Sequence, residues 1–293
     1  MNAANGSCEA EPRGNARSIL AVPCRYTRSQ NRFCHYNMPA ESPIVSRYLD
    51  LLEQTLTGSI FEDPGLLPDV ASSNTVVSLG YDRERRRIGL DWPSRAHTMV
   101  GLQRLKNLRG LVSRVIDEGT PGDLLEAGVW RGGASIYMRA LLAVHGVTDR
   151  RVWVVDSFAG LPPPNEAAFP ADRGDRLHEI GYLAVPLDDV RRNFEKYGLL
   201  DSQVEFVQGW FKDTLPTIPA SQLAILRLDG DMYESTMQCL QSLYWSVAAG
   251  GFVIIDDFAL PPCRQAVVDF RNEQGIADPL TDIDGMAVFW QRS

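Results

Sequence analysis

The apolar positions after residue 118 follow two patterns that alternate along the chain. Short, continuous apolar runs, typical of strands buried on both faces, are separated by segments whose apolar residues recur at helical spacing. The predicted strands are Asp123–Val129, Arg151–Asp156, Val204–Val207, Leu223–Leu228, Phe252–Asp256 and Ala287–Trp290. The predicted helices between them are Gly133–His145, Leu187–Tyr197, Ser235–Val247 and Arg264–Gln274. This alternation predicts an α/β fold, a mostly parallel sheet with helices on both faces.

Upstream of this alternation, the pattern predicts a cap built mainly of helices. Pro43–Leu56 is a predicted short helix, and Ala96–Glu118 is the longest predicted helix, ended by Gly119. We interpret the basic run Arg83–Arg87 between them as a solvated face. Contact of this run with a phosphate or a substrate is the alternative.

Residues 1–40 are rich in Asn, Arg, Ser and Gly and show no sustained period, which favours a disordered extension. We expect the remainder, residues 41–293, to form a single domain. It would consist of an N-terminal helical cap over 41–118 and a Rossmann-like core over 119–293. Within the core, segment 159–185 has no clear period, and a stretch of this length inside a compact domain is usually a lid or a binding loop.

Composition and charge disfavour several classes of protein. The 293 residues are 44% apolar and 23% charged, which is ordinary for a globular protein, and the formal net charge of −8 disfavours binding to nucleic acid. No apolar run approaches the ~20 residues that span a bilayer. The apolar stretch within residues 18–24 is shorter than the roughly 7–15 residues of a secretory signal. We therefore expect a cytoplasmic protein without a membrane partner.

The first predicted strand of the core leads into a glycine-rich turn, at the edge where open parallel sheets bind ligands. The stretch Glu126-Ala-Gly128-Val-Trp-Arg-Gly132-Gly133 is similar to a nucleotide-binding turn but does not match GxGxxG. Glycine allows a close approach of backbone to a ligand, and the following helix N-terminus favours an anionic group. Glu126 is available for a cationic group. A tight turn that binds no ligand is the alternative.

The second predicted strand ends in Asp156-Ser157-Phe158. In dinucleotide-binding folds, a carboxylate at this place accepts hydrogen bonds from a ribose diol. Asp156 lies 30 residues after Glu126, somewhat more than the usual spacing of ~20. An Asp that only caps a turn or a helix is the alternative.

Four carboxylates that follow two apolar strands give the strongest signal. Asp229 and Asp231 follow Leu223–Leu228, a run interrupted only by Arg227, whereas Asp256 and Asp257 end the next predicted strand. If the two strands are neighbours, these carboxylates converge and raise one another's pKa, and a hard cation such as Mg²⁺ would relieve the repulsion. Carboxylates that merely cap the next helices are the alternative.

Several segments together resemble the macrocin O-methyltransferase family, whose members methylate sugar hydroxyls on natural products. They are Leu125–Gly133 (LEAGVWRGG), Gly209–Pro216 (GWFKDTLP), Leu226–Thr236 (LRLDGDMYEST) and Ile254–Phe258 (IIDDF). The stretch His97–Gly101 (HTMVG) is also similar to the family. The resemblance extends from about Ser94 to Trp290.

This resemblance implies a class I methyltransferase fold with five parallel strands and a two-stranded antiparallel end, seven strands in all. It also implies S-adenosylmethionine and Mg²⁺ as cofactors and a small glycosylated acceptor as partner. A homodimer or higher homo-oligomer is a further expectation. The implied cofactor-binding residues are Thr98, Met99, Glu126, Gly128, Asp156, Ser157, Gly209, Trp210 and Asp229, and the implied metal ligands are Asp229, Asp256 and Asp257. Asp231 is the implied general base, and Asp229 is the alternative base.

Other functions stay open at this point. The nearest alternative is methylation of a non-sugar hydroxyl such as a phenol or a catechol. A DxD-type glycosyltransferase leaves the turn at Glu126–Gly133 unexplained, and an aspartyl-phosphate phosphatase would have Thr or Val where Tyr233 stands. A non-catalytic cofactor-binding module leaves the four carboxylates unexplained.

Overall fold

The computed structural model describes residues 42–68, 76–220 and 222–293. The extension predicted over residues 1–40 lies outside these ranges. The strands are β1 (Gly65–Pro68), β2 (Val76–Gly80), β3 (Trp92–Pro93), β4 (Asp123–Ala127), β5 (Val152–Asp156), β6 (Val204–Gln208), β7 (Leu223–Leu228), β8 (Val247–Ile255), β9 (Thr281–Asp282) and β10 (Val288–Gln291). The helices are α1 (Pro43–Leu56), α2 (Arg83–Ile88), α3 (Leu102–Asp117), α4 (Gly133–Val144), α5 (Leu187–Lys196), α6 (Phe211–Thr214), α7 (Tyr233–Leu243) and α8 (Pro261–Glu273).

The main sheet has the strand order β6-β5-β4-β7-β8-β10-β9 within the described part of the chain. The first five strands in this order are parallel, whereas β10 pairs antiparallel with both β8 and β9. The predicted α/β fold, with five parallel strands and a two-stranded antiparallel end, is therefore confirmed. Every residue of the central strand β7 is buried, as expected for a strand covered on both faces.

Helices cover both faces of this sheet. Buried side chains of α1, α3, α4 and α5 pack on one face, and those of α7 and α8 pack on the other. Successive residues of a strand point to opposite faces, so Leu124 belongs to the first core and Leu125 to the second. The two cores hold the carboxyl ends of the parallel strands at one edge of the sheet. The candidate site residues Asp156, Asp229 and Asp256 lie at this edge. Within the described ranges, no helix has the length and apolar composition needed to cross a membrane.

The N-terminal cap contains a small sheet that the hydrophobic pattern did not predict. Its strand β1 pairs antiparallel with β2 on one side and with β3 on the other. These strands are only two to five residues long, too short for an alternation of apolar and polar positions to be recognised. The cap therefore contains this small sheet beside its helices α1, α2 and α3.

The interpretation of Arg83–Arg87 as a solvated face is wrong for Arg86. This side chain is buried, and its guanidinium donates to both carboxylate oxygens of Asp91 at 2.9 Å. It also donates to the carbonyl oxygens of Thr57 (2.6 Å) and Asp63 (2.8 Å). A buried charge is tolerated only when it is paired and hydrogen-bonded. Arg86 thus connects α2 to the loop that follows α1.

Helix α3 begins at Leu102, so the predicted helix Ala96–Glu118 starts too early. The backbone before it is committed to long-range hydrogen bonds. The N–H groups of His97 and Thr98 donate to the carbonyl of Leu56 (2.9 and 3.2 Å), and the carbonyl of His97 accepts from Gly133 N–H (2.9 Å). A helical conformation would break these bonds, which join the cap to the start of α4.

The boundary between α7 and β8 also differs from the prediction. The predicted helix Ser235–Val247 ends at Leu243, and Val247 already begins β8. The glycine pair Gly250-Gly251 lies in this strand, where its pairing with β7 is irregular. Glycines contribute no apolar side chain, so the first half of β8 has no strand pattern in the sequence.

Candidate active site

A cavity of about 370 Å³ opens at the carboxyl ends of β4, β5 and β7. Its volume is within the range of small-molecule sites, and its position is the edge where open parallel sheets bind ligands. Its polar lining residues are Asp156, Ser157, Asn165, Lys212, Asp229, Asp231, Glu234, Ser235 and Gln238. Its large apolar and aromatic lining residues are Met99, Trp130, Leu161, Pro162, Pro163, Leu183, Trp210 and Phe211.

Most residues that the sequence identified as candidates line this cavity. They are Met99, Gly128, Asp156, Ser157, Gly209, Trp210, Asp229 and Asp231. Thr98, Glu126, Asp256 and Asp257 do not line it and lie beside it or beneath it, in contact with other parts of the chain. The structure thus brings the candidates together, and their contacts with a ligand stay predictions.

Gly128 brings the loop after β4 against the end of β7. Its φ of +86° lies in the left-handed region, and a Cβ atom at this position would lie 1.8 Å from the carbonyl oxygen of Asp229. Only glycine fits there. The sequence assigned this glycine to a close approach of a ligand, whereas the neighbour in the structure is the backbone of Asp229. The glycine turn and the first of the four carboxylates therefore share one wall of the cavity.

The N-terminus of α4 is partly occupied by the chain itself. The N–H of Gly133 donates to the carbonyl of His97, and a Cβ atom on Gly133 would lie only 2.4 Å from that oxygen. Thr98 is buried beside it, and its Oγ1 accepts from the N–H of Val100 (3.1 Å). The first amide of α4, which the sequence offered to an anionic group of a ligand, is thus used internally.

Asp156 organises the two loops that border the cavity. Its carboxylate accepts from the N–H of Val129 (2.7 Å) in the glycine turn and from the N–H of Phe158 (2.7 Å) in its own loop. Burial raises the pKa of Asp156, and these backbone donors oppose the shift. The structure therefore shows the turn-capping alternative directly, while contact with a ribose stays a prediction.

Strained backbone conformations occur beside the cavity. Trp130, Phe158 and Asp231 have φ of +48°, +55° and +55°, a left-handed conformation that is uncommon for residues other than glycine. Each follows one of the strands β4, β5 and β7. Strain of this kind costs on the order of 1–3 kcal/mol per residue and concentrates at functional sites. The three loops are thus held in conformations that their local sequence does not favour.

The predicted metal ligands do converge. Asp229, Asp256 and Asp257 each offer a carboxylate oxygen, and these oxygens all lie within 4.8 Å of one another. Asp231 is next to this group, because its N–H donates to Oδ2 of Asp257 (3.0 Å). The convergence arises because β7 and β8 are parallel neighbours, so that residues 229–231 and 256–257 leave the sheet at the same edge.

Arg227, which in the sequence only interrupts an apolar run, joins these carboxylates from beneath. It is fully buried, and its guanidinium donates to Glu126 (2.5 Å), Asp229 (2.9 Å) and Asp256 (2.5 Å). Arg104 of α3 donates to the other oxygen of Asp256. A charged residue inside a continuous apolar run was the available signal, since such a residue is buried only with partners.

The four carboxylates differ in their tendency to ionise. Although burial opposes ionisation, Arg104 and Arg227 hold the pKa of Asp256 below its ordinary value. Burial raises the pKa of Asp231 to about 8, and the nearby charge of Asp229 adds to this shift. Burial and the charge of Asp231 also raise the pKa of Asp257 well above its usual range. Without a cation, burial and mutual repulsion thus favour the protonated forms of Asp231 and Asp257.

Glu126 is a member of the buried charge network rather than of the cavity wall. It is 2% exposed, and its carboxylate accepts from Arg227 and from Ser135 Oγ on α4. Burial raises its pKa to about 7, against the charge of Arg227. In this structure the Glu126 carboxylate faces Arg227 and Ser135, and its contact with a cationic group of a ligand stays a prediction.

Replacement of Glu126 is expected to destabilise the fold. In Glu126→Ala, Arg227 loses one of its three carboxylate partners while it stays buried, and breaking a buried ion pair costs about 3–5 kcal/mol. Urea unfolding of the purified variant measures this loss. The exposed pair Glu84–Arg87 supplies the control, because Glu84→Ala removes only a solvent-exposed ion pair and should leave stability almost unchanged. Equal stability of the two variants would contradict the role of Glu126 in the network.

Segment 159–185 forms one wall of the cavity and is not structureless. Its backbone makes short 3₁₀ turns at Pro170–Asp172, Leu177–Glu179 and Gly181–Leu183. The indole N–H of Trp130 donates to the carbonyl of Tyr182 (3.1 Å), and the ring of Tyr182 stacks on that of Trp92 at 5.5 Å. The predicted lid or binding loop thus packs on the glycine turn and on the cap.

Known proteins match this chain over most of its length. The model of the family described as macrocin-O-methyltransferase matches residues 45–292. An 8-demethyl-8-(2,3-dimethoxy-alpha-L-rhamnosyl)-tetracenomycin-C 4'-O-methyltransferase from Streptomyces olivaceus is 54% identical over 248 residues, which are 84% of this chain and 92% of the relative. A demethyldecarbamoylnovobiocin O-methyltransferase from Streptomyces niveus is 50% identical over 250 residues, 85% and 94% of the two chains.

A solved structure agrees with these matches. The O-methyltransferase NovP superposes with a TM-score of 0.79 at 49% sequence identity, covering 85% of this chain and 99% of NovP. The seven-stranded sheet, with its cavity at the carboxyl ends of the parallel strands, is thus the class I methyltransferase fold. The resemblance inferred from the sequence motifs is confirmed, and the protein is an O-methyltransferase. The chain belongs to the macrocin O-methyltransferase family.

Proposed function

We propose that the enzyme transfers a methyl group from S-adenosylmethionine to a sugar hydroxyl of a glycosylated natural product. One observation carries this proposal: Asp229 and Asp231 line the same cavity as Gly128 and Asp156. One part of the cavity therefore offers the glycine turn and the carboxylate expected beside a nucleoside. The adjoining part offers two carboxylates of raised pKa, suited to a hydroxyl that must lose its proton.

The choice of a sugar as acceptor rests on family membership and on the activity for which one relative is named. The Streptomyces olivaceus relative is named for a rhamnosyl group and for methylation at its 4' oxygen. The polar rim of the cavity fits such a group, because Glu234, Gln238 and Asn165 offer hydrogen-bonding side chains beside apolar residues such as Leu161 and Leu183. Sugars present both hydroxyls and apolar ring faces, which this mixed lining complements.

The residues present fit a magnesium ion. Asp229, Asp256 and Asp257 supply three converging hard oxygen ligands, the kind that Mg²⁺ prefers. The buried network contains more carboxylates than guanidinium groups. Its guanidinium groups are those of Arg104 and Arg227, and its carboxylates are those of Glu126, Asp229, Asp231, Asp256, Asp257 and Asp284. When bound, the cation would supply Lewis-acid polarisation of the acceptor oxygen and offset this excess of negative charge.

The chain's own residues then have separate tasks. Asp231 accepts the proton of the acceptor hydroxyl, the hydroxyl oxygen bonds to the methyl carbon, and the bond from that carbon to the sulfonium sulfur breaks. Asp156 and Gly128 keep the loops beside the nucleoside in place, and Arg227 keeps Asp229 and Asp256 oriented from beneath. Most of the remaining acceleration comes from positioning of the two substrates.

The proposal is tested in two stages. Thermal unfolding is first measured with S-adenosylhomocysteine, with NAD and with a nucleotide sugar. Of the three ligands, we expect only S-adenosylhomocysteine to raise the melting temperature. At a hundredfold excess over its Kd, its binding should add about 2.7 kcal/mol to the free energy of unfolding. Stabilisation by the nucleotide sugar instead would favour the glycosyltransferase alternative.

In the second stage, labelled S-adenosylmethionine is incubated with the enzyme, Mg²⁺ and a panel of acceptors. The panel holds rhamnosylated natural products, the same compounds without their sugar, and a simple catechol. We expect label only in compounds that carry the sugar. Label in the catechol or in the sugar-free compounds would overturn the sugar assignment and favour a phenolic acceptor.

We further propose that residues 41–293 form a single domain in a cytoplasmic enzyme that binds no nucleic acid. The net charge of −8 supports the last point. Cys239 and Cys263 are buried free thiols, in keeping with a reducing compartment. Association into a homodimer or higher homo-oligomer stays a prediction.

A further inference from the structure

Asp172 is a buried carboxylate in the middle of segment 159–185. It is 1% exposed, and its two oxygens accept from the backbone N–H groups of Tyr233 (2.7 Å) and Glu234 (3.0 Å). These two N–H groups belong to the first turn of α7. Asp172 lies 61 residues before Tyr233 in the sequence, so it caps a helix that is distant along the chain.

The helix does not cap itself. The residue before it, Met232, offers no side-chain acceptor for the first-turn N–H groups. Helix N-termini are normally capped by a local Ser, Thr, Asp or Asn, and the first N–H groups otherwise lack an intrahelical partner. Asp172 supplies both the acceptors and a negative charge at the positive end of the helix dipole.

The two elements that Asp172 joins both line the active-site cavity. Segment 159–185 contributes Leu161, Asn165 and Leu183, and α7 contributes Glu234 and Gln238. The rings of Phe169 and Tyr233 also meet across this junction, with centroids 6.0 Å apart. The hydrogen bonds of Asp172 therefore hold together two elements that line the cavity.

We propose that Asp172 is a positioning residue that holds segment 159–185 against α7 and so forms the acceptor-binding part of the site. The inference rests on the proposed function only for the identity of the acceptor. The hydrogen bonds of Asp172 to α7 are observed independently of that function. The base Asp231 has a separate anchor, because its N–H donates to Asp257. Loss of the Asp172 contacts should therefore impair acceptor binding more than the chemical step.

The test compares Asp172→Ala and Asp172→Asn with a matched control. Asp82 also caps a helix, because one of its carboxylate oxygens accepts from the N–H groups of Glu84 (2.9 Å) and Arg85 (3.0 Å) at the start of α2. Asp82 is exposed and α2 does not line the cavity, so Asp82→Ala removes a helix cap away from the site. Asp172→Asn retains a carbonyl oxygen that can accept one of the two hydrogen bonds, so it should behave between Asp172→Ala and wild type.

In steady-state kinetics, we expect Asp172→Ala to raise KM for the acceptor by about tenfold and to lower kcat by less than about threefold, as expected when ordinary binding contacts rather than transition-state contacts are lost. Asp82→Ala should leave KM unchanged. A cap that serves stability alone would lower the folded fraction, and hence kcat, without changing KM. That result would overturn the proposal, as would equal KM values for Asp172→Ala and Asp82→Ala.

Limited proteolysis tests the same contact without turnover. Arg173 and Arg176 follow Asp172 on the same segment and offer trypsin sites. Their side chains are 73% and 58% exposed. We expect trypsin to cut Asp172→Ala there about tenfold faster than wild type, because local opening governs such cleavage. Asp172→Asn should be cut at an intermediate rate. Cleavage of Asp172→Ala at the wild-type rate would overturn the proposal, whereas failure of methyl transfer by the wild-type enzyme would refute only the proposed function.

Discussion

Asp231→Asn is expected to lower the rate of methyl transfer by roughly 10²-fold or more, the range found for loss of a general base. The substitution keeps the size and the hydrogen-bonding shape of the side chain and removes its basic oxygen. Asp231 lines the cavity, and burial raises its pKa to about 8. Because Asp231 lines the cavity next to the proposed metal ligands, it is placed to accept a proton from a hydroxyl bound there.

Single-turnover methyl transfer at saturating cofactor and metal measures this effect directly. Cofactor and metal affinity of Asp231→Asn should change little. The alternative is that Asp229 is both a metal ligand and the base, and Asp229→Asn is therefore measured in parallel. Asp229 already accepts from Arg227 (2.9 Å), so it is the weaker base of the two. A near wild-type rate in Asp231→Asn together with a severe loss in Asp229→Asn would reverse the assignment.

Exhaustive chelation of divalent cations is expected to abolish turnover, and added Mg²⁺ to restore it. The stabilisation that a bound cation gives to a developing oxyanion amounts to several kcal/mol, and each ~1.4 kcal/mol is tenfold in rate, so the loss should reach roughly 10²–10³-fold. The structural basis is the convergence of Asp229, Asp256 and Asp257, whose oxygens lie within 4.8 Å of one another.

The three proposed ligands should also differ when they are replaced singly. Asp257→Asn removes one ligand and one charge, and calorimetry with Mg²⁺ alone should show weaker binding while the fold is retained. Asp256→Asn should in addition destabilise the fold, because Asp256 is an ion-pair partner of both Arg104 and Arg227. Full activity after chelation, or unchanged Mg²⁺ binding by Asp257→Asn, would remove the basis for a metal-dependent reaction.

The sequence by itself determined the fold class and the edge at which the site lies. Alternation of apolar runs with helical periods is a local property. It reproduced the central strand Leu223–Leu228 to the residue and placed the first helix from Pro43 to about Leu56. Parallel strands release their carboxyl ends at one edge of a sheet. The carboxylates Asp229 and Asp257 could therefore be expected to meet before any contact was known.

Only the tertiary structure decided which charges pair and which loops meet. Glu126 lies 101 residues from Arg227, and Asp172 lies 61 residues from Tyr233. Nothing in the local pattern of these residues indicates their partners. Hydrogen bonds to distant residues likewise keep residues 96–101 out of the helix that was predicted there. The physical reason is that a buried charge or an uncapped N–H is stabilised by whichever group the packing brings within hydrogen-bond distance. Hydrophobic periodicity specifies which face of an element is buried, whereas the polar partners are fixed only when the packed layers come together.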